Sequence, residues 1–194
     1  MRAAMLAAAL LALGILPAAA ATPPAATPQG PPATLPGRDV DVTYQVTAPG
    51  HELTQRMRWD VADHLLRVDP PSPGLYMVMD YARHEISMVQ VQAKRVLQAS
   101  GVGMAIPGAT PGNAPFTRAG SATIAGLPCT NWQTKDAAGQ PTEVCLTDDG
   151  VLLRARIGGH TAMVARSVDY AAQPASVFAL PAGWPRETLP QQQR

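Results

Sequence analysis

The stretch from Gly126 to Ile157 constrains the fold more than any other part of the chain. It carries both cysteines of the sequence and two turn signals, Asp136-Ala-Ala-Gly139 and Asp149-Gly150. Glycine tolerates the positive φ of tight hairpin turns, and alternating polar and apolar residues flank both signals. The pattern therefore predicts three adjacent antiparallel strands.

The first hairpin, if centred on Ala137, brings the two cysteines together. In that register Cys129 lies directly opposite Cys145, and Trp132 faces Thr142. Directly opposed residues of a non-hydrogen-bonded pair are close enough for a disulfide. We therefore predict a Cys129–Cys145 disulfide, and the loop that it closes would stabilise the fold by about 3 kcal/mol.

The second hairpin, with a two-residue loop at Asp149-Gly150, pairs Leu146 with Leu153 and Val144 with Ala155. Because side chains alternate across a strand, the two hairpins together define two faces. The apolar face is predicted to hold Trp132, Val144, Leu146, Leu153, Ala155 and Ile157. The more polar face is predicted to hold Cys129, Cys145, Glu143, Arg154 and Arg156. Any functional surface is expected on the Trp132 side.

Residues 1–21 have the pattern of a signal peptide. Arg2 is the only charge, an Ala/Leu-rich run follows, and an Ala-x-Ala site ends at Ala21. The apolar run before Pro17 is short for a membrane span. A chain with two cysteines that is exported meets an oxidising compartment. We predict a periplasmic protein that does not span the membrane, with full secretion left open.

The charge balance argues against a nucleic-acid partner. The chain has 15 basic and 14 acidic residues, and cleavage of the signal peptide would remove Arg2 and make the two equal. No run of five or more basic residues exists, so the electrostatic footprint of a nucleic-acid-binding protein is missing from the sequence.

The rest of the chain divides by composition. Residues 22–37 are rich in Pro, Ala and Thr and predict a disordered tether, and residues 187–194 predict a disordered tail. Between them, residues 38–186 form one mainly β domain of about ten short strands with little helix. Over residues 86–98 the hydrophobic period does not clearly favour a strand, and a helix is the alternative there. Short turns favour a curved antiparallel up-and-down sheet, and the Gly/Pro-rich residues 101–118 predict a long irregular loop.

Three sequence motifs carry a resemblance. They are Cys129 with Trp132, the run VCLTDDGVLLRA, and the closing FALPAGW, and the match as a whole covers roughly Asp39 to Trp184. The set resembles a family of uncharacterised exported bacterial proteins that look like the LolA/LppX-type lipoprotein-carrier superfamily. The resemblance implies a half-barrel sheet with a hydrophobic concave face able to hold an acyl chain.

No catalytic constellation emerges from the sequence. His84-Glu85 lacks the second histidine of a metalloprotease helix, no serine lies in Gly-x-Ser-x-Gly, and the four histidines are scattered. We therefore predict a protein that is not an enzyme and has no cofactor. Met77 and Met79 put two thioethers on one strand face, which suits Cu(I), core packing or a pliable apolar pocket.

The leading functional hypothesis is a non-enzymatic protein that binds a hydrophobic ligand, such as a lipid or a lipidated partner protein, on the concave face of its sheet. The residues predicted to line that face are Tyr44, Met57, Trp59, Met77, Met79 and Trp132. The alternatives are an envelope protein-interaction or scaffold module without a ligand, and copper handling through Met77 and Met79.

Overall fold

The structure, a computed structural model, describes residues 30–48, 51–100, 115–136 and 138–189. The predicted signal peptide, the first part of the predicted tether and most of the predicted long loop lie outside the described residues. Within the described residues no helix is long and apolar enough to cross a membrane.

Twelve strands and one short 3₁₀ turn make up the regular structure of the described residues. The strands are β1 Val40–Ala48, β2 His51–Asp60, β3 Leu65–Asp69, β4 Leu75–Asp80, β5 Glu85–Gln90, β6 Arg95–Ser100, β7 Thr117–Ile124, β8 Leu127–Lys135, β9 Pro141–Leu146, β10 Leu152–Ile157, β11 His160–Asp169 and β12 Arg186–Thr188. The 3₁₀ turn is Ala175–Val177. The mainly β prediction is therefore confirmed, and the span 86–98 is two strands rather than a helix.

All twelve strands belong to one open sheet in the order β12-β6-β5-β4-β3-β2-β1-β11-β10-β9-β8-β7. Two antiparallel meanders, β1 to β6 and β7 to β11, join where β1 pairs with β11. The sheet curls, since β7 lies close to β11 although three strands separate them in the order. The curved up-and-down sheet predicted from the sequence is confirmed, with β12 as a parallel addition beside β6.

The disulfide is present, but the predicted register of the first hairpin is wrong by two residues. Cys129 and Cys145 are bonded, with their Cα atoms 5.5 Å apart. Asn131, not Cys129, is the ladder partner of Cys145, and Trp132 faces Val144. The reason is a longer loop, since the Asp136 carboxylate accepts the backbone N–H groups of Ala138 and Gln140. A shift of two residues keeps every side chain on its predicted face.

The second hairpin also has a longer loop than predicted. Thr147 and Val151 close it, because the Thr147 N–H donates to the Val151 carbonyl and the Val151 N–H donates to the Thr147 hydroxyl. Leu146 therefore pairs with Leu152 instead of Leu153, and a bulge follows. Beyond the bulge the predicted pairing of Val144 with Ala155 is correct.

The C-terminal segment crosses the outer face of the first meander as a strap, defined as residues 170–189. Phe178 on the strap is buried, and the Val177 carbonyl accepts a hydrogen bond from Arg67 Nη1 at 2.8 Å. The strap ends in β12, where the Val96 N–H donates to the Pro185 carbonyl at 2.9 Å. Glu187 and Thr188, which lie in the predicted tail, are thereby paired with β6.

The N-terminal arm, residues 30–39, also rests on the sheet. Gly37 N–H donates to the Asp149 carbonyl at 2.7 Å, and Arg38 Nε donates to the Asp149 carboxylate at 2.7 Å. The Arg38 guanidinium also lies 3.4 Å from the centre of the Tyr170 ring. The arm therefore docks on the β9–β10 turn, within the segment predicted as a tether.

Candidate ligand-binding face

The six residues predicted to line a binding face do lie on one face of the sheet. Across the first meander, Met57 pairs with Val68, which pairs with Met77, and Trp59 reaches Met79 through Leu66 in the same way. Tyr44 follows the same alternation on β1. The pairings of β1 with β11, β11 with β10, β10 with β9 and β9 with β8 carry this face on to Trp132. We call it the inner face.

The inner face is mostly a filled core. Five of the six predicted residues are buried, and they share one cluster with members on β1 to β4 and on β8 to β11. Tyr44 fixes the curl, because its hydroxyl donates to the Leu152 carbonyl at 2.7 Å across the interior. Burial raises the pKa of the Tyr44 phenol well above its ordinary value. Met77 is the one predicted residue that is only half-buried.

The accessible part of the inner face lies on β4 to β6. Met77 faces Met88 directly across the β4–β5 pair, and Met88 in turn faces Leu97 on β6. Half-buried apolar side chains continue the patch on both sides, and together they define the inner strip: Leu75, Met77, Tyr81, Ile86, Met88 and Leu97. A ligand on the inner face would therefore contact β4 to β6 rather than Trp132.

Three polar atoms on the inner face lack partners in the part of the chain that the structure describes. They are the Tyr81 hydroxyl, Gln55 Nε2 and the Thr134 hydroxyl, and all three atoms are buried. Tyr81 lies at one end of the strip with its ring 5.4 Å from the Trp59 ring, and burial raises the pKa of its phenol to about 12. Buried polar groups without partners are uncommon in folded proteins. The Tyr81 hydroxyl is therefore a buried donor without a partner among the described residues, at one end of the inner strip.

The opposite face of the first meander is closed by charge pairs and by the strap. Asp69 accepts hydrogen bonds from Arg67 Nη2 at 2.7 Å and from Arg58, and Arg67 lies 3.7 Å from the centre of the Tyr76 ring. The same Arg67 holds the strap at Val177. The inner strip is thus the half-buried apolar surface of β4 to β6 on the face opposite the strap.

The described residues give no geometric support to a histidine-based or metal-binding site. His64 and His84 occupy left-handed backbone positions in two turns at one end of the sheet, with φ of 56° and 54°. Among the described residues no group of three or more His, Cys, Asp or Glu side chains could hold a metal ion. Met77 and Met79 share the inner face, and copper binding by their thioethers stays a prediction.

Sequence reasoning found the inner face but not its accessible part. Met88, Ile86 and Tyr81 are not among the six residues predicted from the sequence to line the binding face. Alternation assigns a residue to a face, but it does not say how far the sheet curls over that face. The pair Met77 and Met88 could have been found from the β4–β5 turn, since that hairpin places them opposite each other.

Comparison with known proteins supports the fold. No family model and no curated protein matches the chain. An uncharacterized conserved protein from Thermus thermophilus superposes with a TM-score of 0.58 at 13% identity, covering 78% of this chain and 91% of that one. PNGF-II superposes with a TM-score of 0.54 at 14% identity, covering 79% of this chain and 31% of that one.

A third solved structure, MucB in complex with MucA(peri), superposes with a TM-score of 0.49 at 17% identity, covering 74% of this chain and 54% of MucB. This chain thus spans only a part of PNGF-II and of MucB. The likenesses to the Thermus thermophilus protein and to PNGF-II show the shared sheet, and at these identities they carry no activity over to this chain.

Proposed function

We propose that this protein is a non-enzymatic periplasmic module that binds a hydrophobic ligand, such as the acyl chain of a lipid or of a lipidated partner, along the inner strip. The observation that carries the proposal is the half-buried apolar surface built around Met77 and Met88. Methionine side chains are flexible and polarisable, so a methionine-rich surface adapts to acyl chains of varied shape.

The ends of the inner strip fit an amphiphile. At one end, next to the Trp59 ring, the Tyr81 hydroxyl has no partner within the described parts of the chain. An ester or carboxyl oxygen of the ligand would accept a hydrogen bond from it, while the chain lies over Met77, Met88 and Leu97. Ligand sites of this kind are largely apolar with a few placed polar groups.

Native mass spectrometry of protein purified from its host compartment tests the proposal. We expect lipid to co-purify, and a fluorescent fatty acid to bind the delipidated protein. Met77→Asp and Met88→Asp should each weaken binding at least tenfold, because each places a charge under the acyl chain.

Val91→Asp is the matched control. Val91 is an exposed apolar residue in the β5–β6 turn, outside the inner strip, so its replacement should leave affinity unchanged. Thermal unfolding of each variant checks that the fold persists. A clean apo mass, together with no binding of the fluorescent fatty acid, would refute ligand binding.

A second candidate, an envelope protein-interaction module without a ligand, is favoured by one observation. Tyr44, Met57, Trp59, Met79 and Trp132 are buried in the core, which leaves a shallow strip rather than a deep trough. Crosslinking in the host compartment distinguishes the two. A photoreactive group at Met88 that captures protein and no lipid would favour the interaction module.

A further inference from the structure

The N-terminal arm passes over the inner face of the second meander, beside Trp132. A small cavity of about 170 Å³ remains between the arm and the sheet. Pro31 and Pro32 line it from the arm, and Thr130, Trp132 and Leu146 line it from the sheet. Thr130 and Leu146 are direct partners on β8 and β9, and Trp132 lies on the same face two residues later. We call the surface of these three side chains the arm groove.

The arm meets the sheet with every second residue. Pro32 and Thr34 are half-buried and Pro36 is buried, whereas Pro31 and Leu35 are exposed. Burial that alternates in this way is typical of an extended segment that lies along a surface. Each proline fixes its own φ at about −65°, so the segment loses little conformational freedom when it docks.

The arm groove is built around an aromatic side chain. The Trp132 residue is only 7% exposed, and its ring meets the Phe116 ring edge-on, with the ring centroids 6.4 Å apart. Grooves lined by aromatic side chains recognise proline-rich extended segments, because such segments are already ordered before they bind. The arm groove thus has the composition of a proline-recognition site, and the chain's own Pro31-Pro32 occupies it.

Packing alone holds residues 30–36 in the arm groove. Within the described ranges the hydrogen bonds of the arm begin at Gly37, whose N–H donates to the Asp149 carbonyl, and at Arg38. The cavity beside Trp132 shows that the arm does not fill the groove, and atoms beside a gap lose dispersion contacts. A segment that fills this gap would gain contacts that the arm does not make.

We propose that the arm groove binds a proline-rich extended segment of another protein, and that the chain's own arm occupies the groove until such a segment displaces it. Trp132 becomes accessible only when residues 30–36 leave. The arm of a second copy would not displace them, because it has the same sequence and no better fit. The tethered arm acts at an effective concentration that is about millimolar. A foreign segment overcomes that advantage by filling the gap beside Trp132.

NMR titration of the purified protein tests the inference with two peptides. Hexaproline is the probe, and a Gly-Ser hexapeptide is the control without proline. We expect hexaproline to give saturable shifts at the Trp132 indole N–H and at the Thr130 amide. The Gly-Ser peptide should give none there.

Replacing both prolines of the arm separates the arm from the groove. The double variant Pro31→Gly/Pro32→Gly should move the Trp132 indole resonance in the absence of peptide. It should also lower the apparent Kd for hexaproline roughly tenfold, because the competing arm no longer fills the groove. Pro71→Gly, at an exposed proline of the β3–β4 turn, is the control and should change neither property.

Two tryptophans provide a matched pair of substitutions. Trp132 and Trp59 are both 7% exposed on the inner face, but only Trp132 lines the arm groove. In the double variant, Trp132→Phe should weaken hexaproline binding about fivefold, measured at the Thr130 amide, because the ring that faces the peptide is smaller. Trp59→Phe should leave hexaproline binding unchanged. Thermal unfolding checks that each variant keeps its fold.

The inference is overturned if the Gly-Ser peptide binds as tightly as hexaproline, if the Trp132 indole resonance does not move in the double variant, or if that variant shows no saturable shifts with hexaproline. A parent protein that sediments as a dimer, and as a monomer after the double substitution, would assign the groove to the arm of a second copy and refute a foreign partner. Met77→Asp distinguishes this groove from the inner strip. It should abolish fatty-acid binding and leave hexaproline binding intact.

Discussion

Asp69 on β3 is the carboxylate that orders the outer face of the first meander. It accepts hydrogen bonds from Arg67 and Arg58, and Arg67 in turn stacks on Tyr76 and holds the strap at Val177. Burial acts to raise the pKa of Asp69, but the hydrogen bonds from Arg67 and then Arg58 outweigh it, so that pKa lies below its ordinary value. The Asp69 carboxylate therefore orients the Arg67 guanidinium, which in turn holds the strap.

A pH dependence follows from the lowered pKa of Asp69. Because the folded pKa is below the unfolded value of about 3.9, the ion pair contributes stability above about pH 4. That contribution is lost as the pH falls through the folded pKa. Asp69→Asn should lower the free energy of unfolding at pH 7 and flatten its decline below pH 4, measured by urea unfolding at a series of pH values.

Asp63→Asn is the control for that series. Asp63 is exposed in the β2–β3 turn and forms no ion pair with another described residue. Its variant should keep the acid dependence of the parent protein. If Asp69→Asn loses stability on acidification as steeply as the parent, Asp69 is not the group responsible.

Residue-scale predictions from the sequence succeeded where alternation alone decides. The disulfide and both faces of β8, β9 and β10 were predicted, since parity fixes a face. The registers were wrong because loop length depends on side-chain hydrogen bonds, such as those of Asp136 and Thr147, that a turn signature does not specify. The Thr134 hydroxyl, which has no hydrogen-bond partner among the described residues, has no sequence signature at all.

At the scale of elements, Gly150 controls how the arm docks on the β9–β10 turn. Its φ is +86°, and a Cβ there would meet the Leu35 carbonyl oxygen at 2.1 Å. Gly126 in the β7–β8 turn has a similar φ of +78° but open space around it. Alanine substitutions at Gly150 and at Gly126 therefore separate the cost of backbone strain from the cost of displacing the arm.

Gly126→Ala should cost about 1 kcal/mol, the strain of a left-handed residue with a side chain. Gly150→Ala should cost more, because the backbone of Leu35 must also move. Hydrogen exchange at the Gly37 amide, which donates to the Asp149 carbonyl, should accelerate only in Gly150→Ala. Equal losses of stability and unchanged exchange would show that the arm contributes nothing to the turn.

The Cys129–Cys145 disulfide covalently links β8 to β9 near the middle of the second meander. Its cysteines are 16 residues apart, so the chain-entropy model assigns it about 3 kcal/mol. Replacing both cysteines by Ala should lower the free energy of unfolding by roughly 2–4 kcal/mol in guanidinium titrations. Reduction of the parent protein should give the same loss, and a change below about 1 kcal/mol in both experiments would contradict the prediction.

The element that sequence reasoning missed is β12. Residues Arg186–Thr188 are polar, exposed and only three in number, so no alternation marks them as a strand. Their conformation is set by the free edge of β6, which lies about ninety positions earlier in the chain. A pairing of this kind depends on the global path of the strap and cannot be inferred from a local window.

At the scale of the whole molecule, the two ends of the single sheet differ in how far they curl over a core. The second meander and β1 to β3 curl around a shared core, which buries Trp132 and Trp59 in one cluster. The β4 to β6 end leaves its inner side half-exposed and covers its outer side with the strap. The proposed acyl site therefore lies where the sheet is least curled over itself, and the resemblance to half-barrel carriers did not specify that end.

The strap closes the outer side through Phe178, which is 5% exposed and lines a cavity with Leu65 and Val78. Phe178→Ala should cost about 3–5 kcal/mol, because it empties a buried aromatic site. Val177→Ala, which keeps the carbonyl that Arg67 binds, should cost much less. The Val96 amide, whose partner is the Pro185 carbonyl, should exchange faster only in Phe178→Ala, since loss of the anchor frees β12 from β6. Unchanged exchange at the Val96 amide would mean that β12 stays paired with β6 without the Phe178 anchor.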